Sequence, residues 1–143
     1  MKKILFAMAI LTAVSVQAQK KLPVSQVPSA SKQAFFKAHP NVTGKWEKEE
    51  GDYEVSFREG GKDMSCVIDK AGNIKETETV IPVSALPAAV TASLANHYKG
   101  IKVREAARIV KADGTTTYEA EIKGKDVLFD ANGNVLKTKN DND

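Results

Sequence analysis

Pro23-Val24-Ser25-Gln26-Val27-Pro28 returns further along the chain as Pro82-Val83-Ser84-Ala85-Leu86-Pro87, with four identities and one conservative change. Asp69-Lys70-Ala71-Gly72-Asn73 likewise returns as Asp130-Ala131-Asn132-Gly133-Asn134, keeping Asp, Gly and Asn. Between these markers lie Tyr53-Glu54-Val55 and Tyr118-Glu119-Ala120, each after a Gly-containing turn. Three markers in one order, offset by roughly sixty residues, define a tandem repeat and so decide the fold.

Each copy opens on a proline, which suits the first turn of a helix because its missing N–H has no intrahelical partner there. After Pro28, Ala30, Ala34, Phe35 and Ala38 fall on one helical face; after Pro87, Val90, Leu94 and Tyr98 do the same, with Ala95 alongside. Pro40 stops the first helix near His39, and Gly100 offers an exit for the second near Lys99. Such short helices are stable only against a partner surface.

That surface is a sheet. Tyr53, Val55 and Phe57 alternate with Glu54, Ser56 and Arg58, and after Gly60-Gly61 the alternation resumes at Met64, Cys66 and Ile68. The Asp69–Gly72 turn leads to Ile74 and a Thr-rich strand ending at Val80. The second copy runs from Val103 to Val110, turns at Asp113-Gly114, and alternates again at Tyr118, Ala120 and Ile122. It turns at Lys123-Gly124-Lys125 into Val127 to Phe129, then at Asn132-Gly133 into Val135-Leu136. The expected class is α+β: one helix packed on a four-stranded antiparallel sheet, repeated in tandem over residues 19–80 and 81–143. One helix covers one face of such a sheet, which leaves the other for water or a partner.

Residues 1–18 read as a signal peptide. Lys2 and Lys3 precede an apolar run from Ile4 to Val16, too short to span a bilayer, and Val16-Gln17-Ala18 places cleavage before Gln19. The expected location is periplasmic or secreted, with no membrane anchor after cleavage. The two lysines leave with the segment, so 21 basic residues become 19 against 18 acidic ones, a balance of about +1. Charges of both signs are interspersed, as in Lys45-Trp46-Glu47-Lys48-Glu49, which argues against a nucleic-acid partner. Cys66 is the only cysteine, so an internal disulfide is excluded; its alternation with Met64 and Ile68 reads as a buried thiol.

The [VL]-P helix start, the aromatic or Leu seven residues on, Trp46, the Tyr-Glu-Val strand and the Asp-x-x-Gly turn together resemble the PepSY-like family. That family comprises small exported bacterial proteins described as beta-lactamase-inhibitor-like. The resemblance covers nearly all of the chain after residue 18. It implies an architecture similar to the beta-lactamase inhibitory protein, whose concave sheet surface clasps an enzyme. It also implies distant kinship with PepSY modules of protease propeptides. The chain departs from the inhibitor in having no disulfide pair and only 6% aromatic residues.

Catalytic patterns are absent from the sequence: there is no Gly-x-Ser-x-Gly elbow, phosphate-cradling glycine loop or His-Glu-x-x-His helix. His39 and His97 each fall near a helix C-terminus, where the helix dipole favours a cation. The Asp130–Asn134 stretch resembles the start of a calcium loop, but the distal bidentate Glu is absent and the segment that follows carries Lys137 and Lys139, so a hairpin turn is the better reading. No metal or cofactor is expected, and no enzymatic activity. Trp46 reads either as core at the helix–sheet boundary or as a partner anchor. With Glu54, Arg58, Arg104, Arg108, Glu119 and Glu121 it forms the expected partner-binding set on the open sheet face. The expected function is an exported, non-catalytic module that binds a protein or peptide. The alternatives are an inhibitor of a secreted or periplasmic hydrolase, a beta-lactamase or peptidase, and a small-ligand or ion-responsive sensor.

Overall fold

The structure, a computed structural model, describes residues 21–140. The expected signal peptide and its cleavage point before Gln19 lie outside the described residues. In chain order the elements are β1 (Lys21–Leu22), α1 (Ser29–Ala38), β2 (Gly44–Glu49), β3 (Asp52–Glu59), β4 (Lys62–Ile68) and β5 (Ile74–Ile81). There follow α2 (Ala88–His97), β6 (Val103–Lys111), β7 (Thr116–Ile122), β8 (Lys125–Asp130) and β9 (Val135–Asn140).

The repeated Pro-Val-Ser stretch folds the same way in both places, as a 3-10 turn at Val24–Gln26 before α1 and at Val83–Ala85 before α2. Pro28 and Pro87 sit at the helix N-caps with φ of −54° and −55°, the range their rings impose. His39 caps the end of α1 as expected; α2 stops at His97, slightly short of Lys99, with Tyr98 as its cap. The packed face of α1 differs from the expected one. Ala30 and Ala38 are exposed, while Ser31 and Phe35 are fully buried. The helix start is seated on the Asp69–Asn73 turn, where Ser31 Oγ donates to the Asp69 carbonyl at 2.8 Å.

All nine strands form one antiparallel sheet in chain order. This corrects the expectation of a four-stranded sheet in each repeat. β5 pairs with β6 from Glu76↔Lys111 to Ile81↔Ala106, so the halves share one ladder and neither leaves an unpaired strand edge at the junction. The register sets both helices on the same face. Trp46, Val55, Cys66 and Thr77 form a row beneath α1, and Ile81, Ala106, Ala120 and Val127 form one beneath α2. Thr77 and Ile81 lie four residues apart on β5, an even spacing that keeps the two rows on one side.

The apolar core is accordingly in two parts. Under α1, Phe35 meets Trp46 edge-on at 5.5 Å and Phe57 at 5.1 Å, with Val27, Val55, Cys66 and Ile68 around them. Under α2, Val90 and Leu94 pack on Ala106, Ala120, Ile122, Val127 and Phe129. Each fully buried large side chain contributes about 1.5–3 kcal/mol of burial energy, which holds helices too short to stand alone.

Candidate functional site

The face away from the helices is the candidate site. Its central row, read across the sheet from β3 to β7, is Ser56–Ser65–Glu78–Ile109–Thr117. Parallel rows carry Glu47–Glu54–Val67–Glu76–Lys111 on one side and Ala107–Glu119–Leu128–Lys137 on the other. No helix of the described residues covers this face, yet Glu54, Ser65, Glu76, Glu78, Ile109 and Thr117 are all buried. Curvature accounts for it. In a flat sheet β2 and β9 would stand roughly 34 Å apart at the usual strand spacing. The Lys139 ammonium on β9 nevertheless acts on the carboxyls of Glu49 on β2, Glu76 on β5 and Glu119 on β7. Charges in salt solution sense one another over about 10 Å, so the sheet curls until its far strands face each other across a furrow.

Carboxyls crowd this furrow. Burial pushes the Glu78 carboxyl well above its ordinary range, and the nearby Glu119, Glu54, Glu76 and Glu105 add repulsion. Burial, then Asp126, raises Glu119 to about 7, against an opposing pull from Lys139. Glu54, Glu76 and Glu105 are raised by burial too, Glu54 being opposed by hydrogen bonding to Glu49 and Ser65. Glu49 rises for the same reason, with Glu54 adding to the effect. At the centre, Glu78 Oε1 and Thr117 Oγ1 are buried with no hydrogen-bond partner among the described residues. Unpaired buried acceptors are costly in a folded protein, so this pair is the least settled part of the face.

The expected binding residues separate into three groups. Glu54, Glu119 and Glu121 lie on the open face, and Arg58 stands at its rim, beside Asp63 at 3.8 Å and donating to the Gly61 carbonyl. Arg104 is the extra residue of a bulge between Val103 and Glu105 and reaches Glu121 at 3.3 Å. Trp46 and Arg108 are corrections, since both lie on the helix side of the sheet. Trp46 is 2% exposed against Phe35, and Arg108 pairs in register with Thr79 and Tyr118 between the two cores. The bulge at Arg104 shifts the phase of β6, so Arg104 and Arg108 cannot share the open face. Sequence reading passed over Glu76, Glu78 and Thr117. Their alternation in Glu76-Thr77-Glu78-Thr79 was visible, but their burial depends on curl, which a strand pattern does not encode.

A second polar cluster lies beneath α1. His39 Nδ1 is 2.8 Å from Glu59 Oε2, and His39 Nε2 is 3.7 Å from Cys66 Sγ, itself 3.4 Å from Thr77 Oγ1. A thiol, an imidazole and a carboxylate in line are the parts of a nucleophile–base–orienter set. Here Cys66 is 0% exposed, and burial raises its thiol pKa, so neither access nor thiolate is provided. The second repeat places Tyr98, Thr138 and Val127 at the corresponding positions, with Tyr98 and Thr138 hydroxyls 3.5 Å apart. A polar tie between the helix cap and the last strand of each half thus recurs without the thiol.

The Asp turns are self-contained. Asp69 Oδ1 accepts from the N–H groups of Ala71 and Asn73, and Oδ2 from the Asn73 side chain; Asp130 does the same with Asn132 and Asn134. Those bonds hold both carboxyls below their ordinary range. Among the described residues no group of three or more His, Cys, Asp or Glu is placed to hold a metal ion, and no helix is long and apolar enough to cross a membrane. An open depression of about 650 Å³ lies at the β6 end, lined by Gly100, Ile101, Lys102, Arg104 and Lys123.

Two helices on one side of a single curled antiparallel sheet, with an acidic open face, define an α+β sheet module. The chain belongs to the family described as "Putative beta-lactamase-inhibitor-like, PepSY-like", whose model matches residues 14–76 and again residues 51–137. A BLIP-like protein from Bacteroides fragilis is similar in structure, with TM-score 0.65 and 27% identity over 83% of this chain and 87% of that one. A protein from Bacteroides eggerthii described as a putative periplasmic protein has TM-score 0.73 and 18% identity, covering 80% and 88%. A DUF2874-family protein from Bacteroides uniformis has TM-score 0.72 and 20% identity, covering 79% and 88%. The last two show the fold alone. No curated protein matches the chain.

Proposed function

We propose that the protein is an exported, non-catalytic binding module that engages a protein or peptide through the sheet face its helices leave open. One observation carries the reading: both helices pack on the same side of a nine-stranded sheet, and the other side, which they leave open, carries Glu54, Glu76, Glu78 and Glu119 in adjoining rows. Action is by occlusion or sequestration, with no covalent step. The amino-terminal apolar run and the periplasmic description of structural neighbours support residence in the periplasm.

A photo-crosslinking residue placed at Ser56, exposed on the furrow side, is expected to capture a partner from the native cell envelope. The same residue at Lys37, on the outer face of α1, is expected not to. Identical captures from the two positions, or none from either, overturn the reading. The family description and the BLIP-like relative favour a narrower form, in which the partner is a secreted hydrolase that loses activity on binding. Stoichiometric addition to a panel of beta-lactamases and envelope peptidases tests it, and unchanged rates at micromolar protein reject it.

A further inference from the structure

We propose that the furrow holds a subsite for a basic side chain, a Lys or Arg presented by the partner, which enters over Ile109 and is bound by Glu78 and Thr117. The inference rests on the binding reading above and names the chemistry of its partner. Three observations carry it. First, Glu78 and Thr117 flank Ile109 in one register row, two strand spacings or roughly 10 Å apart. Second, Glu78 is 8% exposed and Thr117 2% exposed, and each keeps an acceptor oxygen, Oε1 and Oγ1, without a partner among the described residues. Two orphan acceptors at this separation suit a donor-only group, and the cationic side chains are the donor-only ones with several N–H groups. Third, carboxyls surround the pair: Glu54 on β3, Glu76 on β5, Glu105 on β6 and Glu119 on β7 all act on Glu78.

The apolar part of the subsite fits as well. Ile109 and Ala107 are buried on the furrow floor, and Val67 and Val80 lie half-buried beside them. They provide a surface for the methylene stem of Lys or Arg beneath its charged head. Cations share the face: Lys111 acts on Glu76 from the end of β6, Lys139 acts on Glu49, Glu76 and Glu119 from β9, and Lys137 stands beside Leu128 in the row through Ala107 and Glu119. Beyond burial, the strongest influences on Glu78 all come from carboxyls. A cation entering over Ile109 favours the ionised form of Glu78, so binding releases a proton and tightens as pH rises.

The test uses a fluorescent peptide with two adjacent arginines and its twin carrying neutral citrulline instead. Arginine stays charged throughout the working range, so any pH dependence belongs to the protein. The full chain is expected to bind the arginine peptide at least tenfold tighter than the citrulline peptide, and tighter at pH 8 than at pH 6. Glu78→Gln, an isosteric change, is expected to remove that preference at least tenfold, and Thr117→Val to weaken it severalfold. Glu59→Gln makes the same charge change beside His39 on the helix side and is expected to leave binding unchanged. Equal binding of the two peptides, or an unaltered preference in Glu78→Gln, overturns the subsite. The outcome is separable from that of the binding reading. A crosslinked partner that the arginine peptide fails to displace keeps the reading and rejects the basic side chain; arginine-selective binding with no crosslinked partner does the reverse.

Discussion

Gly133 lies so close beneath α2 that a Cβ added to it would stand 2.3 Å from the carbonyl oxygen of Ala89, and Gly72 repeats the relation with Ala30 at 2.8 Å. The Asp-x-x-Gly-Asn turns are therefore seats for the helix starts, as well as hairpin connections. Both glycines also hold positive φ, 82° at Gly133 and 90° at Gly72, which a side chain resists.

Gly133→Ala is accordingly expected to cost about 3 kcal/mol or more, combining backbone strain with a clash against main chain that cannot swing aside. Gly114→Ala is the comparison, because Gly114 has φ of 83° but nothing within 4 Å of its added Cβ. It should cost about 1 kcal/mol. Urea denaturation of both variants measures the difference, and equal losses would show that the helix seat contributes nothing.

Trp46→Ala is expected to lower stability by about 3–5 kcal/mol, the usual cost of emptying a buried aromatic site. Trp46→Phe, which keeps an edge-on contact with Phe35, should recover much of that loss. Chemical denaturation checks both, and a loss below 1 kcal/mol in Trp46→Ala would contradict the core placement.

How much of this was legible beforehand follows from where the information resides. The helix starts at Pro28 and Pro87 and the alternation of Val55, Phe57, Cys66 and Ile68 are local features, so the sequence carries them. The union of the halves is set by β5 pairing with β6, a contact between distant residues whose alternation is equally compatible with two separate sheets. The displacement of Arg108 to the helix side comes from the bulge at Arg104, invisible in a segment with apolar residues of both phases, Ala106, Ala107, Ile109 and Val110. Glu78 looked like any solvated strand glutamate. Its burial follows from curl, a property of the whole sheet.

The Cys66–His39–Glu59 alignment makes a kinetic prediction. A thiol that is 0% exposed with a raised pKa is expected to react with an aromatic disulfide reagent only as fast as the protein opens. Rapid stoichiometric modification of the native protein at pH 7 would instead mark Cys66 as a usable nucleophile. Cys66→Ala is expected to cost about 1 kcal/mol through lost packing, with the fold retained.

Stability is expected to fall as pH rises from about 5 to 8, and the sign follows from Glu119. Its carboxyl has an ordinary value of 4.5 and sits at about 7 in the folded chain. Between those values the folded protein keeps a proton that the unfolded chain has released, so raising pH favours unfolding. Below the lower value both states are protonated and the cost vanishes; above the upper one both are ionised and it is complete. Glu54, Glu76, Glu78 and Glu105 shift in the same direction and steepen the fall. Asp69, Asp113 and Asp130 shift the opposite way, so their stabilising effect is lost only on acidification below about 4. Tm should therefore peak near pH 5. Glu119→Gln should flatten the decline between pH 5 and 7 and leave the protein more stable than the parent at pH 8, on the order of 2 kcal/mol. A parent Tm that rises across this window, or a Glu119→Gln curve parallel to it, would contradict the burial of these carboxyls in the furrow.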